Sequence, residues 1–210
     1  MEKPLLKLGF LASNNGSSMR AIVEAIEAGE LNAEARLVVS NKREAPALAF
    51  AAAHGVPTRL IATAKDPDAA DAALAAALDA AGVELVVLSG YLRKLGPRTL
   101  TAYAGRVLNL HPGPLPRFGG QGMYGRRVHE AVAAAAVAES SVTVHVVDEE
   151  YDHGPTVMAL PVPLAPDDDA AKIEAKVTAA EAGVFVEVVR RIGEGTLSLP
   201  QPSQVNSRSR

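Results

Sequence analysis

Short apolar runs alternate with helix-patterned segments through the first half of the chain, and this alternation restricts it to a parallel sheet covered by helices. The strand candidates are residues 5–12, 35–40, 58–62, 85–89 and 106–110, and the helix candidates between them are 19–28, 46–54, 67–81 and 97–103. Parallel neighbours need a long crossover, normally a helix, and these spacings supply one each time. Pro46, Pro67 and Pro97 each suit a first helical turn, where no N–H is required. Gly55 and Gly82 follow helices as left-handed caps do. The expected fold is α/β: an open, mostly parallel, twisted sheet of the Rossmann type, with helices on both faces and antiparallel strands added in the C-terminal part.

After His111 the pattern changes. The run from Pro112 to Gly122 is too rich in proline and glycine for helix or central strand, and a loop of this length in a compact domain is functional or disordered. A helix over 126–136 precedes strands over 141–147 and 156–162, which can pair as a hairpin around Tyr151-Asp152-His153-Gly154-Pro155. Pro166-Asp167-Asp168-Asp169 then leads into a long helix over 170–192, and capping of its positive end accounts for the three aspartates without a metal. Residues 1–199 are expected to form a single domain with halves 1–110 and 111–199. The polar stretch 200–210 is expected to be a disordered tail.

Composition narrows the partners. The 24 acidic and 21 basic residues leave a net charge of -3, too little to attract nucleic acid or a membrane surface. Absence of cysteine removes disulfides, thiolate metal sites and a cysteine nucleophile. The apolar run 5–12 is interrupted by Lys7, is too short to span a bilayer and lacks a signal-peptide layout, so a cytoplasmic location is expected.

Chemistry concentrates at Asn109-Leu110-His111-Pro112. A strand's period of two projects Asn109 and His111 to one side at a carboxyl end, where open α/β sheets bind ligands. With the remote carboxylate of Asp152 they form a set suited to acyl transfer. Amide and imidazolium stabilise an oxyanion, and the carboxylate holds the imidazole protonated. Taken alone, Asn-x-His also serves ordinary turn hydrogen bonding. A second feature is Ser13-Asn14-Asn15-Gly16-Ser17-Ser18 between the first strand and first helix. Its free N–H groups at a helix's positive end suit a phosphate, while the alternative is simple capping by Ser17 or Ser18. Gly16 favours the anion because it permits close backbone approach. Neither G-x-G-x-x-G nor a Walker sequence is present, which removes support for nicotinamide chemistry and nucleotide hydrolysis. His145 alternates with apolar residues and faces either the site or a buried polar network. His129, Tyr91 and Phe118 read as packing.

In this order and at this chain length, the phosphate loop, the Asn-x-His-Pro strand end, the Pro-rich loop and the Asp-x-Gly-Pro turn resemble the folate-dependent glycinamide ribonucleotide formyltransferases of purine biosynthesis and one-carbon metabolism. The resemblance implies a transferase moving a formyl group from 10-formyltetrahydrofolate, as co-substrate and with no metal, to the amine of 5'-phosphoribosylglycinamide. It implies that Asn109, His111 and Asp152 are catalytic, and that Asn15, Gly16, Ser17 and Ser18 hold the ribonucleotide phosphate. Leu92, Arg93, Lys94 and Leu95, with Asn109, match the folate-binding positions, and Glu181 matches a glutamate that contacts the ribonucleotide. Half 1–110 would bind phosphate, and half 111–199 would carry folate and catalytic chemistry, in a monomer or weak homodimer.

The chain departs from the family at Ser18, where an asparagine is usual, at Gly113-Pro114, where Ser-Leu is usual, and in the longer loop from Gly119 to Gly125. The rivals are methionyl-tRNA formyltransferase, sugar-nucleotide amine formyltransferase, formyltetrahydrofolate hydrolase and a noncatalytic phosphate-ligand-binding module. The first three share the Asn-x-His and Asp chemistry but normally carry an added domain.

Overall fold

In the computed structural model, which describes residues 4–200, seven strands form one sheet: β1 (Leu6–Leu11), β2 (Ala33–Ser40), β3 (Thr58–Leu60), β4 (Leu85–Leu88), β5 (Val107–His111), β6 (Glu139–Val146) and β7 (Thr156–Pro163). They hydrogen-bond in the order β3-β2-β1-β4-β5-β6-β7. The first five pair in parallel, and β6 and β7 are antiparallel additions. Around them lie α1 (Ser17–Glu27), α2 (Pro46–Ala53), α3 (Pro67–Ala80), α4 (Pro97–Ala102), α5 (Arg126–Ala134) and α6 (Ala170–Gly193). The expected fold is the observed one, and β6 and β7 do form a hairpin around the Asp152 turn. Of the tail expected over 200–210, all but Pro200 lies outside the described residues.

Parallel strands buried on both faces need apolar side chains at consecutive positions. On β1, Leu8 and Phe10 enter one core while Leu11 enters the other. On β4, Leu85 and Val87 go one way, and Val86 and Leu88 the other. Helices α1, α5 and α6 supply Met19, Ile22, Val128, Val132, Val184 and Phe185 to the first core. Helix α3 supplies Leu74 and Leu78 to the second. At α6, Asp169 caps the helix by accepting the Lys172 N–H at 2.8 Å. Its neighbours are used differently: Asp168 accepts the Ala165 N–H and pairs with Lys176, and Asp167 pairs with Lys172.

From β1 the chain works outward to β2 and β3, then returns to β4 and works outward the other way. The boundary between β1 and β4 is therefore a topological switch point, and the crevice opens at the carboxyl ends there. The loops after β1, β4 and β5 all start at that crevice. Among the described residues, no helix is long and apolar enough to cross a membrane.

Candidate active site

Strand β5 stops at His111 because Pro112 has no N–H to continue the ladder. Its neighbour β6 places His145 directly opposite Asn109, and opposed residues project to the same face. The Asn109 amide and His145 Nε2 are accordingly 3.2 Å apart. His145 Nδ1 lies 3.0 Å from the Val146 carbonyl. A carbonyl only accepts, so that nitrogen carries a proton, and Nε2 is turned toward both the Asn109 amide and the Asp152 loop. Asn109 also lines a cavity, where its amide can reach a ligand.

Asp152 sits in the β6–β7 loop with a left-handed φ of 54°, a strained conformation for a residue with a side chain. Gly154 allows the loop to turn so tightly: a Cβ there would lie 1.9 Å from the Val146 carbonyl oxygen. This turn brings one oxygen of Asp152 to 3.4 Å from His111 Nδ1 and the other to 3.5 Å from His145 Nε2. The Gly120 N–H donates to the first oxygen at 3.1 Å. Burial opposes ionisation of this carboxyl, but the His145 hydrogen bond, the His111 charge and the Gly120 N–H outweigh it and hold Asp152 below its ordinary value.

His111 is 2% exposed. Its Nε2 donates to the Phe118 carbonyl at 2.8 Å, which fixes the tautomer and turns Nδ1 toward Asp152. A charge pair at this separation is of order 4 kcal/mol at an effective dielectric of 20. Burying an imidazolium costs several kcal/mol as well, so the sign depends on a difference between comparable quantities. Burial wins: despite Asp152 and the Phe118 carbonyl, the His111 pKa is lowered from its ordinary value. Burial therefore works against the expected imidazolium. The carboxylate offsets part of the burial penalty without reversing it, and Nδ1 faces Asp152.

Around these groups opens a cavity of about 740 Å³, within the size of small-molecule sites. Asn109, His111 and Asp152 line it, and so do Ser17 and Ser18 at one side and Glu181 of α6. Leu92 and Arg93 line it too, whereas Arg93, Lys94 and Leu95 border an adjoining hollow of about 90 Å³. Lys94 places its ammonium 5.7 Å from the Tyr151 ring. Helix α1 begins at Ser17, two residues earlier than expected, with Gly16 left-handed at its N-cap and no side-chain cap bond. The capping alternative for Ser17 and Ser18 therefore fails, and their hydroxyls stand in the first turn. Asn15 and Gly16 precede them, exposed and buried respectively.

Sequence reasoning left His145 open; the register with Asn109 shows that it is both buried and at the site. It missed the Phe118 carbonyl and Gly120 N–H, which are backbone groups that no residue type announces. Phe118 packs as expected, while Tyr91 lines both hollows. His129 is buried with Nδ1 unpartnered. Gly113, where serine is usual in the family it resembles, has a steric reason: a Cβ there would stand 2.6 Å from Val128 Cγ1.

Residues 6–189 match the family model described as formyl transferase. The chain belongs to the formyl transferase family. This formyl transferase is 36% identical over 190 residues to the chloroplastic phosphoribosylglycinamide formyltransferase of Vigna unguiculata, covering 90% of this chain and 61% of that one. It is 34% identical over 196 residues to the phosphoribosylglycinamide formyltransferase of Escherichia coli (strain K12), covering 92% and 90%. The structure of the phosphoribosylglycinamide formyltransferase of Coxiella burnetii aligns with a TM-score of 0.85 at 32% identity, over 94% of this chain and 92% of that one. The chain thus spans less than two thirds of the plant relative's length but nearly all of the bacterial one.

One carboxyl of this formyl transferase is poised to titrate near neutrality. Glu181 is pushed up to about 7, first by burial and then by the Glu174 carboxylate on the same helix. Its folded value stands above the ordinary one, so protonated Glu181 favours the fold at low pH and that contribution disappears as pH rises through about 7. Glu181→Gln is expected to match the wild type in stability at pH 4.5 and to exceed it by about 1–3 kcal/mol at pH 8. Urea unfolding at the two pH values checks this; an equal gap at both would remove the assignment.

Proposed function

We propose that this chain transfers the formyl group of 10-formyltetrahydrofolate to the amine of 5'-phosphoribosylglycinamide, giving the N-formyl product and tetrahydrofolate in de novo purine synthesis. The observation that carries this reading is the meeting of Asn109, His111 and Asp152 on a cavity that also reaches the Ser17-Ser18 turn and the Leu92-Arg93 segment. The names of the bacterial relatives support it. In this reading Asn15, Gly16, Ser17 and Ser18 take the phosphate at the positive end of α1, and Glu181 accepts from a ribose hydroxyl. The Leu92-Arg93-Lys94-Leu95 segment and Asn109 hold the folate. Residues 1–199 act as one domain; the 1–110 half binds phosphate, but the folate segment Leu92–Leu95 and Asn109 also fall in it rather than in the 111–199 half expected to carry folate, which supplies His111 and Asp152. The enzyme works in the cytoplasm as a monomer or weak homodimer.

The amine attacks the formyl carbon, and the carbonyl oxygen takes up negative charge. An amide hydrogen of Asn109 donates to it, a contribution that in other enzymes is worth about 100- to 1,000-fold in rate. Neutral His111 accepts a proton from the attacking nitrogen at Nδ1. The resulting imidazolium lies 3.4 Å from the Asp152 carboxylate, which makes the ring a stronger base than burial alone would allow. His111 then returns the proton to the departing folate nitrogen as the carbon–nitrogen bond breaks. No covalent enzyme intermediate is needed.

Purified protein supplied with 10-formyltetrahydrofolate should release tetrahydrofolate only when the ribonucleotide is present. Release without it would make the protein a hydrolase, and no release under either condition would leave a binder or another acceptor.

Asp152→Asn is expected to lower turnover by about 100-fold or more, in the range of other acid–base partners, with ribonucleotide affinity little changed. The neutral form of His111 is the working base, so the rate should rise with pH through an apparent pKa below 6.5. Removing the carboxylate disfavours the imidazolium, so the residual acid limb of Asp152→Asn should shift to lower pH. A limb that stays or moves upward contradicts the role given to Asp152.

A further inference from the structure

Pairing between β1 and β4 ends at Leu11 and Leu88, yet the two loops that follow stay bound to each other. The Ser13 N–H donates to the Gly90 carbonyl at 3.2 Å. Ser13 Oγ, fully buried, accepts the Leu92 N–H at 2.8 Å and donates to Asn41 Oδ1 at 2.6 Å. In the other direction, Ser89 Oγ accepts the Met19 N–H of α1 at 3.0 Å. Met19 carries the third amide of the first turn. Ser89 therefore occupies that amide and leaves those of Ser17 and Ser18 for an anion. Three hydrogen bonds, two of them through serine hydroxyls, join the residues flanking the phosphate loop (Ser13 and Met19) with the stretch Ser89 to Leu92 that leads into the folate segment.

We propose that Ser13 and Ser89 are positioning residues that couple the two substrate sites, so that occupancy of the phosphate loop tightens folate binding and folate tightens phosphate binding. The inference rests on the substrate assignment made above. A phosphate ordering the Ser17-Ser18 turn fixes Met19 and, through Ser89 and Gly90, the entry to the Leu92 segment. A folate seated on Leu92 fixes Ser13 and the start of the phosphate loop. Whichever ligand binds first bears the ordering of both loops, and the second binds to loops already ordered. By linkage the factor is the same in both directions.

The test uses inorganic phosphate, which fills the loop without spanning the cavity, and tetrahydrofolate, the folate product. Calorimetry on the whole protein gives the Kd of tetrahydrofolate with and without saturating phosphate. A decrease of about fivefold is expected, at the lower end of usual coupling factors, with an equal decrease in the reverse titration. In Ser89→Ala, and independently in Ser13→Ala, the ratio should fall to about one even though each ligand still binds alone. A purely structural role would lower the unfolding midpoint and leave the ratio untouched. The coupling is overturned by a ratio of one in the wild type, or by the wild-type ratio in both variants. Failure of the wild type to bind tetrahydrofolate at all overturns the functional reading, and the coupling with it.

Discussion

A single carboxylate, Asp152, holds together groups from three parts of the chain. Its two oxygens face the imidazoles of His111 and His145 from β5 and β6, and the backbone N–H of Gly120 reaches it from the long loop. Without an ionised group there, protonating either buried imidazole would have no nearby charge to offset its desolvation. The strained backbone at Asp152 and the glycine at 154 are the local consequences of bringing it so close. Strain of this kind persists only where surrounding structure overdetermines it, and here the hairpin of β6 and β7 does so.

The balance of charge and burial then sets the chemistry. Asp152 alone would favour an imidazolium at His111; the apolar surroundings of a side chain 2% exposed favour the neutral ring. With Nε2 committed to the Phe118 carbonyl, the remaining nitrogen faces the Asp152 carboxylate at the edge of the cavity. The long loop thus has two functions at once. Its Phe118 carbonyl selects the tautomer of His111, and its Gly120 N–H steadies the carboxylate. The loop contributes through its backbone, which explains how a segment so rich in glycine can be part of an active centre.

Much of this was legible in the sequence. The continuous apolar runs at residues 5–12 and 85–89 gave the parallel strands, because a strand buried on both faces has no polar side to alternate with. The period of two placed Asn109 beside His111, and the Asp-x-Gly-Pro pattern marked a turn that could carry a carboxylate. Three things were not legible. The neighbour of Asn109 across the sheet depends on the register of β5 with β6, and alternation alone fixes a face without naming the partner. Backbone donors and acceptors at Phe118 and Gly120 have no residue signature. The sign of the His111 shift depends on how deeply the fold buries it, whereas the sequence displays only the opposing charge.

The most direct test is the ionisation of His111 itself, followed by nitrogen-15 NMR of its imidazole in the unliganded protein. At neutral pH the ring should carry a proton at Nε2 alone, with Nδ1 titrating below 6.5. A ring that is doubly protonated at neutral pH, or whose resting proton sits on Nδ1, would contradict the role of His111 as the base.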